Sequence, residues 1–471
     1  MKKNRIVCWI LLISSLLAAF SPLAGATEVE QGVLTDGFYS FDASNAYLGS
    51  GQIVENVGAA ILYEVGTDSL MYAWNPDEQM YPSSLVKILT ALIAVEKGTP
   101  DTVVTVEDSV LQTVPGDAVM VDLLPGEQMT LSDLLYCMMV GSANDAAAVI
   151  AHHISGSQEA FVDEMNAYAR ELGCTATNFT NVHGLHDQAQ YTTARDMGRI
   201  LARAVKNEAF MTYFSAQRHT VPATNLSESR GLASSNFLFE SNSDGMTIYH
   251  DPRVVGGRTG TTNDGNRCLA TSAKQNNMHL VCVVLGCQST FAEDGRTMTY
   301  GSFKETSALY DAGFEGYKVA RVLYEGQIFR QLPVVGGASE VVLGSHSSVQ
   351  TILPKDATSD NLSYQYKFYQ QELTAPISAG DKLCQLQIWN GSICVAQTDL
   401  YAMHDVHAVA QSMDVNADEP AADSWKQALM WIGIGAWMLV LIVLVVRYGR
   451  KIRSAFRRRR TKGNHPRRRS R

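Results

Sequence analysis

Charged side chains are scarce, 18% of the 471 residues, and prolines number only 13. With 46% hydrophobic residues, that balance excludes a disordered chain and a collagen-like repeat. Eight cysteines are too few for a disulfide-built miniprotein, and no Cys-x-x-Cys or Cys/His ligand spacing occurs. Seven remain once Cys8 is set aside with the N-terminal segment, an odd number that points to buried free thiols. Cys384/Cys394 and Cys268/Cys282 are the pairs that could face each other across hairpins. No Gly-x-Ser-x-Gly elbow is present, which argues against an α/β-hydrolase. No internal repeat is visible. Basic charge is sparse in the body: residues 27–446 carry 22 Lys/Arg against 47 Asp/Glu, a net −25. Such a body repels phosphate, so no nucleic-acid partner is expected.

The basic residues gather at the ends. Lys2, Lys3 and Arg5 precede the apolar stretch Ile6 to Phe20 and the small-residue site Ala24-Gly25-Ala26, the pattern of a secretory signal peptide over 1–26. A retained N-terminal anchor is the alternative. Near the other end, Ala428 to Val446 is a run of 19 uncharged residues. As a helix it would span roughly 29 Å, about one hydrocarbon core. Trp425 and Trp431 suit its outer interface, and the 13 Lys/Arg of residues 447–471 place the tail in the cytoplasm. A single-pass membrane protein with its body outside is therefore expected, the tail serving topology and anionic lipid.

Between the ends the texture changes once. From 56 to 315 helical and strand patterns mix. Ser84 to Lys97 reads as a core helix, apolar nearly all round and ended by Gly98 and Pro100. Leu131 to Met139, Ala146 to Ile154, Ala160 to Leu172 and Tyr300 to Tyr310 read as further helices. Arg267 to Ala273 and His279 to Leu285 read as strands joined at Gln275-Asn276-Asn277. From 316 to 407, short β-like runs alternate with turn residues, among them Val334-Val335, Val341 to Leu343, Gln365 to Phe368, Leu383 to Trp389 and Ile393 to Val395. That predicts a small all-β domain. Residues 27–55 form a polar leader and 408–427 a solvated linker.

Chemistry concentrates in three places. Ser84 and Lys87 are three apart at the start of the core helix, so the amine can reach the hydroxyl. Burial would lower the lysine pKa and free it as a base, and the first-turn N–H groups could hold an oxyanion. A Ser cap beside a surface Lys is the plain alternative. Gly141-Ser-Ala-Asn-Asp145 presents Ser142 and Asn144 between two helices. Val255-Gly-Gly-Arg-Thr-Gly-Thr261 precedes a strand, its glycines permitting close approach to a ligand. Ser-x-x-Lys, then Ser-x-Asn, then a cation before Thr-Gly is the ordered set of the penicillin-recognising serine enzymes. His183-Gly-Leu-His186-Asp187 lacks helical i, i+4 spacing and reads as structure rather than metal ligation, as does His152-His153.

On these residues the chain resembles the serine D-alanyl-D-alanine carboxypeptidases of peptidase family S11, the low-molecular-mass penicillin-binding proteins. Leu124-Pro-Gly-Glu127, Leu134-Leu-Tyr136, Asn181-Val-His-Gly-Leu185 and Thr192-Thr-Ala-Arg-Asp196 extend the resemblance, as do Ala375-Pro376 and Gly380-Asp381. It covers roughly residues 55–406. The implied fold is an α/β (α+β) β-lactamase-like transpeptidase domain, then a small all-β domain and a C-terminal transmembrane helix. The implied activity is removal of the terminal D-Ala from peptidoglycan stem pentapeptides in the cell wall, with trapping by β-lactams and no cofactor. Ser84 would be the nucleophile and Lys87 its base, with Ser142 relaying a proton to the leaving group. Asn144 would hold the substrate peptide, and Arg258 and Thr259 its carboxylate. Gly260 would line the substrate site, with the N–H groups of Ser84 and Thr261 as the oxyanion hole. Two positions depart from the family pattern: Arg258 replaces the usual Lys, and Val86 the Thr of Ser-Leu-Thr-Lys. Arginine can grip a carboxylate but cannot share a proton with Ser142. That motivates a second reading, a catalytically weak penicillin-binding scaffold. A β-lactamase is a third, disfavoured because no Glu-x-x-Leu-Asn element is present.

Overall fold

The computed structural model describes residue 48 and residues 53–291, 298–409 and 424–459. The expected signal peptide, most of the leader, linker residues 410–423 and the tail from 460 onward lie outside the described residues.

The first part of the body opens with a hairpin, β1 (Ala59–Glu64) and β2 (Ser69–Trp74). A helical segment follows: α1 (Val86–Lys97), α2 (Leu131–Met139), α3 (Asn144–Ser155), α4 (Gln158–Glu171) and α5 (Ala194–Ala204). The chain then returns to the sheet as β3 (Val254–Thr261), β4 (Arg267–Gln275) and β5 (Met278–Cys287). Helix α6 (Gly301–Gly316) closes this part. The sheet is antiparallel in the order β2-β1-β5-β4-β3. Strand β1 is buried throughout because both faces are covered. Ile61 and Tyr63 join the core shared with α1 to α5, while Ala60 and Leu62 join the core shared with α6.

Helix α1 runs through the middle of the first core, every residue from Val86 to Ala94 buried. Each fully buried leucine or isoleucine there contributes roughly 1.5–3 kcal/mol of hydrophobic stabilisation. A three-residue 3-10 turn, Ser83–Leu85, precedes it. Ser84 therefore sits just ahead of the α-helix and not inside it as the sequence pattern suggests. The β4–β5 turn forms as expected: Asn276 and Asn277 take φ of 51° and 63°, the pair of left-handed residues a two-residue hairpin needs.

A further expectation changes. Residues 254–261 do not merely precede a strand but form one, the sheet edge β3, because pairing with β4 compensates for three glycines of low strand propensity. The cysteines follow the free-thiol reading and not the cross-hairpin alternative. Cys268 lies opposite Gly260 and Cys282 opposite Thr271, while Cys384 lies opposite Leu400 and Cys394 opposite Trp389. All seven described cysteines are free thiols.

The second part of the body is all β. Ile328–Leu332, Val341–Gly344, Ile393–Ala402, Lys382–Asn390 and Leu362–Phe368 are adjacent in that order in one sheet, and Tyr317–Leu323 pairs with Val349–Pro354. Its own core includes Leu343, Leu386, Ile388 and Leu400. Val334-Val335 is not a strand; Val335 makes only an isolated bridge to Thr374. Taken by itself, the terminal segment is one helix, Ser424–Arg459. Its described apolar side chains run from Leu429 to Val445, all exposed. The side chains of Ala428 and Val446, which complete the expected span, lie outside those described. Among the described residues no helix is long and apolar enough to cross a membrane.

Candidate active site

Three elements meet at the start of α1: the Ser83–Leu85 turn, the segment between α2 and α3, and the edge strand β3. They line a cleft of about 580 Å³ that Ser84, Ser142, Asn144, Thr259, Gly260 and Thr261 all reach. A cleft of about 780 Å³ elsewhere shares no lining residue with it and contains none of the expected site residues.

Lys87 is wholly buried, one turn into the core from Ser84. Its Nζ donates to Ser84 Oγ at 3.2 Å, to Asn144 Oδ1 at 2.7 Å and to the His183 carbonyl oxygen. These acceptors fix the amine, yet they do not restore the hydration a charge loses on burial. Desolvation holds the Lys87 pKa well below the lysine range, the Arg258 charge lowers it further, and Asp145 opposes both. The arrangement favours a neutral amine, whose two N–H groups serve Asn144 Oδ1 and the His183 carbonyl while its lone pair takes the Ser84 hydroxyl as donor.

Ser142 occupies the loop between α2 and α3 with a φ of 63°, a left-handed conformation uncommon outside glycine. Arg258 holds it there. The guanidinium is 3% exposed, and its Nη2 donates to Ser142 Oγ, Nη1 to Met139 O at 3.1 Å and Nε to Ser84 O at 3.3 Å. Burial pushes its pKa down to about 10, which leaves it charged at neutral pH. Asn144 is used inward as well: besides accepting from Lys87, it donates through Nδ2 to Val119 O at 2.9 Å. Arg258 and Asn144, both expected at the substrate, thus bond groups of the protein in this structure.

The β3 edge supplies the opposite wall. Thr259 Oγ1 lies 2.6 Å from Ser235 Oγ, and Thr261 is exposed beside the Ser83–Leu85 turn. Gly260 lets the strand approach that turn, since a Cβ there would lie 3.2 Å from Ser83 Cβ and 3.3 Å from Ser84 N. Across the cleft Gly184, at φ 86°, is closer still: a side chain would overlap Ser83 O at 2.0 Å.

Several site residues have no warning in the Ser-x-x-Lys pattern. Ser83, at φ 49°, accepts through Oγ from Thr261 N and donates to Thr261 O. His183 contributes its carbonyl rather than its ring, whose pKa burial pushes down to about 3. Asp145, 1% exposed, accepts from the N–H groups of Val121 and Leu123 and fixes the loop opposite α3. Only Asp145, next to the Ser-x-Asn triplet, could have been suspected from spacing.

The sequence profile of the D-alanyl-D-alanine carboxypeptidase family matches residues 52–289, and that of the penicillin-binding protein 5 C-terminal domain matches residues 317–408. The chain is 28% identical over 361 residues to D-alanyl-D-alanine carboxypeptidase DacF of Bacillus subtilis, covering 75% of this chain and 87% of that one. It is 29% identical over 358 residues to DacC of Escherichia coli, covering 74% and 84%. The structure of penicillin binding protein 5 from Haemophilus influenzae superposes with a TM-score of 0.62 at 28% identity, covering 75% of this chain and 98% of that one. The paired serine and buried lysine, the two profile matches and these relatives agree, and the chain belongs to the D-alanyl-D-alanine carboxypeptidase family.

Proposed function

We propose that this carboxypeptidase removes the terminal D-Ala of peptidoglycan pentapeptides through an acyl-Ser84 intermediate, and that β-lactams acylate the same oxygen. The observation that carries the assignment is Lys87 Nζ, fully buried and 3.2 Å from Ser84 Oγ. In its neutral form the amine takes the Ser84 proton as Oγ attacks the carbonyl of the penultimate D-Ala. The N–H groups of Ser84 and, once the Ser83 hydroxyl gives way, Thr261 hold the developing oxyanion. As the C–N bond breaks, Ser142 relays the proton that Lys87 took from Ser84 to the departing D-Ala amine, which leaves Lys87 neutral and Ser142 a hydroxyl again, and water then hydrolyses the ester. Arg258 keeps Ser142 in its left-handed turn and, as a permanent cation, favours the neutral form of Lys87. The assignment is tested by D-Ala release from a pentapeptide ending D-Ala-D-Ala. Release should stop with one equivalent of penicillin and be absent in Ser84→Ala. Release at the parent rate by Ser84→Ala overturns it.

One observation favours a second reading, a slow enzyme serving as a penicillin-binding scaffold: Ser83 Oγ occupies the Thr261 N–H that the oxyanion needs. The chain is further proposed to be exported by residues 1–26 and anchored by residues 428–446, with its body outside and its tail cytoplasmic. The uncharged 19-residue run and the 13 basic residues after it support that topology.

A further inference from the structure

The larger cleft, about 780 Å³, is a groove between one face of α6 and the segment 248–253. Lys304, Ser307, Ala308 and Asp311 line it at i, i+3, i+4 and i+7, the spacing of a single helical face. Ala308 stands mid-face with no side chain beyond Cβ, and that leaves the hollow.

The facing wall is held in place by the protein itself. Asp251, 5% exposed, accepts from Arg253 Nε and Nη2 at 2.8 and 2.7 Å and from the Ser307 hydroxyl at 3.4 Å. Arg253 Nη2 also reaches Asp311 Oδ1 at 2.7 Å, so the floor of the groove ties the segment to α6. Tyr249 packs its ring on Phe303, and its hydroxyl accepts from Tyr300 N at 2.9 Å. Walls fixed in this way reduce the ordering that a ligand must impose. Ile248, 73% exposed, and Pro252 add apolar surface.

Charge indicates what the groove takes. Lys304 and Asp311 stand at the two ends of the helical face, both more than half exposed. Seven helical steps separate their Cα atoms by about 10 Å. The carboxylates beside Lys304, Glu305 and Glu55, are 3.5 and 3.8 Å from its Nζ, exposed-side contacts that water and salt weaken. The groove thus offers a cation at one end, an anion at the other and apolar surface between them. An extended peptide advances about 3.3–3.6 Å per residue, so roughly three residues cover that span.

We propose that this groove binds a short peptide carrying a carboxylate and an amine about 10 Å apart, the carboxylate at Lys304 and the amine at Asp311. The proposal rests on the carboxypeptidase reading, under which stem peptides are the peptides this chain meets. It makes the groove a second stem-peptide site, separate from the one at Ser84. The Tyr249–Tyr300 hydrogen bond links the two, because Tyr300 lines the catalytic cleft.

The test uses the full chain in detergent after reaction with benzylpenicillin. The adduct blocks the catalytic cleft, and its mass reports the carboxypeptidase reading separately. The probe is Nα-acetyl-L-Lys-D-Ala, with one amine and one carboxylate, titrated by calorimetry as the free acid and as the C-terminal amide. The acylated wild-type chain should bind one free-acid peptide, and amidation should weaken binding about 3- to 10-fold. Lys304→Glu should abolish the preference for the acid. Ala308→Trp should fill the groove and remove binding, while both variants are acylated by penicillin at the wild-type rate. An acylated wild-type chain that binds no peptide overturns the second site and leaves the carboxypeptidase reading standing. So does an acid preference that survives Lys304→Glu, or wild-type binding in Ala308→Trp. A wild-type chain that gains no adduct overturns that reading and the second site with it.

Discussion

Ser83 Oγ lies between the two backbone groups of Thr261, 3.1 Å from its N–H and 2.6 Å from its carbonyl oxygen. That N–H is the donor an oxyanion would need, so the hydroxyl must give way before the tetrahedral intermediate can be held. Ser83→Ala removes the competitor without disturbing Ser84. Its acylation rate with a chromogenic cephalosporin should rise about fivefold, the worth of one net hydrogen bond of roughly 1 kcal/mol. An unchanged or lower rate in stopped-flow measurements would mean that Ser83 supports the oxyanion hole.

The pH dependence of acylation follows from Lys87. The amine accepts a proton only when neutral, so the rate climbs with pH and levels off once pH exceeds its pKa. Burial first, and the Arg258 charge second, hold that pKa well below the lysine range. The plateau should therefore begin well below the ordinary value of about 10.4. Arg258→Gln deletes the second cause and should move the acidic limb to higher pH, besides slowing the plateau rate. A limb that stays in place would show that Arg258 does not act on Lys87.

Stability has a separate carboxylate to report it. Glu127 is fully buried and takes two hydrogen bonds from Arg230, at 2.7 and 2.9 Å, with others from Thr224 and the Leu124 N–H. Burial raises its pKa, but Arg230 and the other donors outweigh that, and the net shift is downward. Arg230→Met leaves the buried carboxylate unpaired and should cost about 3–5 kcal/mol in denaturant unfolding. Because the folded carboxyl binds its proton less readily than the unfolded one, the stabilisation is complete above about pH 4.3 and fades as pH falls through the depressed folded value. The gap between parent and variant should narrow with acid. A gap independent of pH would place the cost elsewhere.

How far the sequence discloses this site depends on the distance over which each contact is made. The boundaries of α2 are legible in Leu131 to Met139, and the β4–β5 hairpin in Asn276-Asn277, because both are set locally. The Ser84–Lys87 contact is local too, one helical turn long. Strand β3 is not legible: Gly256, Gly257 and Gly260 make the segment read as one that precedes a strand, and only its register with β4 makes it an edge. The same register sets Arg267 opposite Thr261, a relation no spacing rule announces. His183 contributes a backbone carbonyl, and side-chain identity says nothing about where that carbonyl points. Arg258 is recognisable as a cation in the right place, whereas its inward bonds to Met139, Ser142 and Ser84 depend on the packing of three segments.

The most direct measurement is the site of acylation. After one equivalent of benzylpenicillin, the intact chain should gain a single adduct, and peptide mass spectrometry should locate it on Ser84. The adduct should vanish in Ser84→Ala, persist in Ser83→Ala and form far more slowly in Lys87→Ala. An adduct on Ser83 or on another residue, or one that survives Ser84→Ala, would contradict the account.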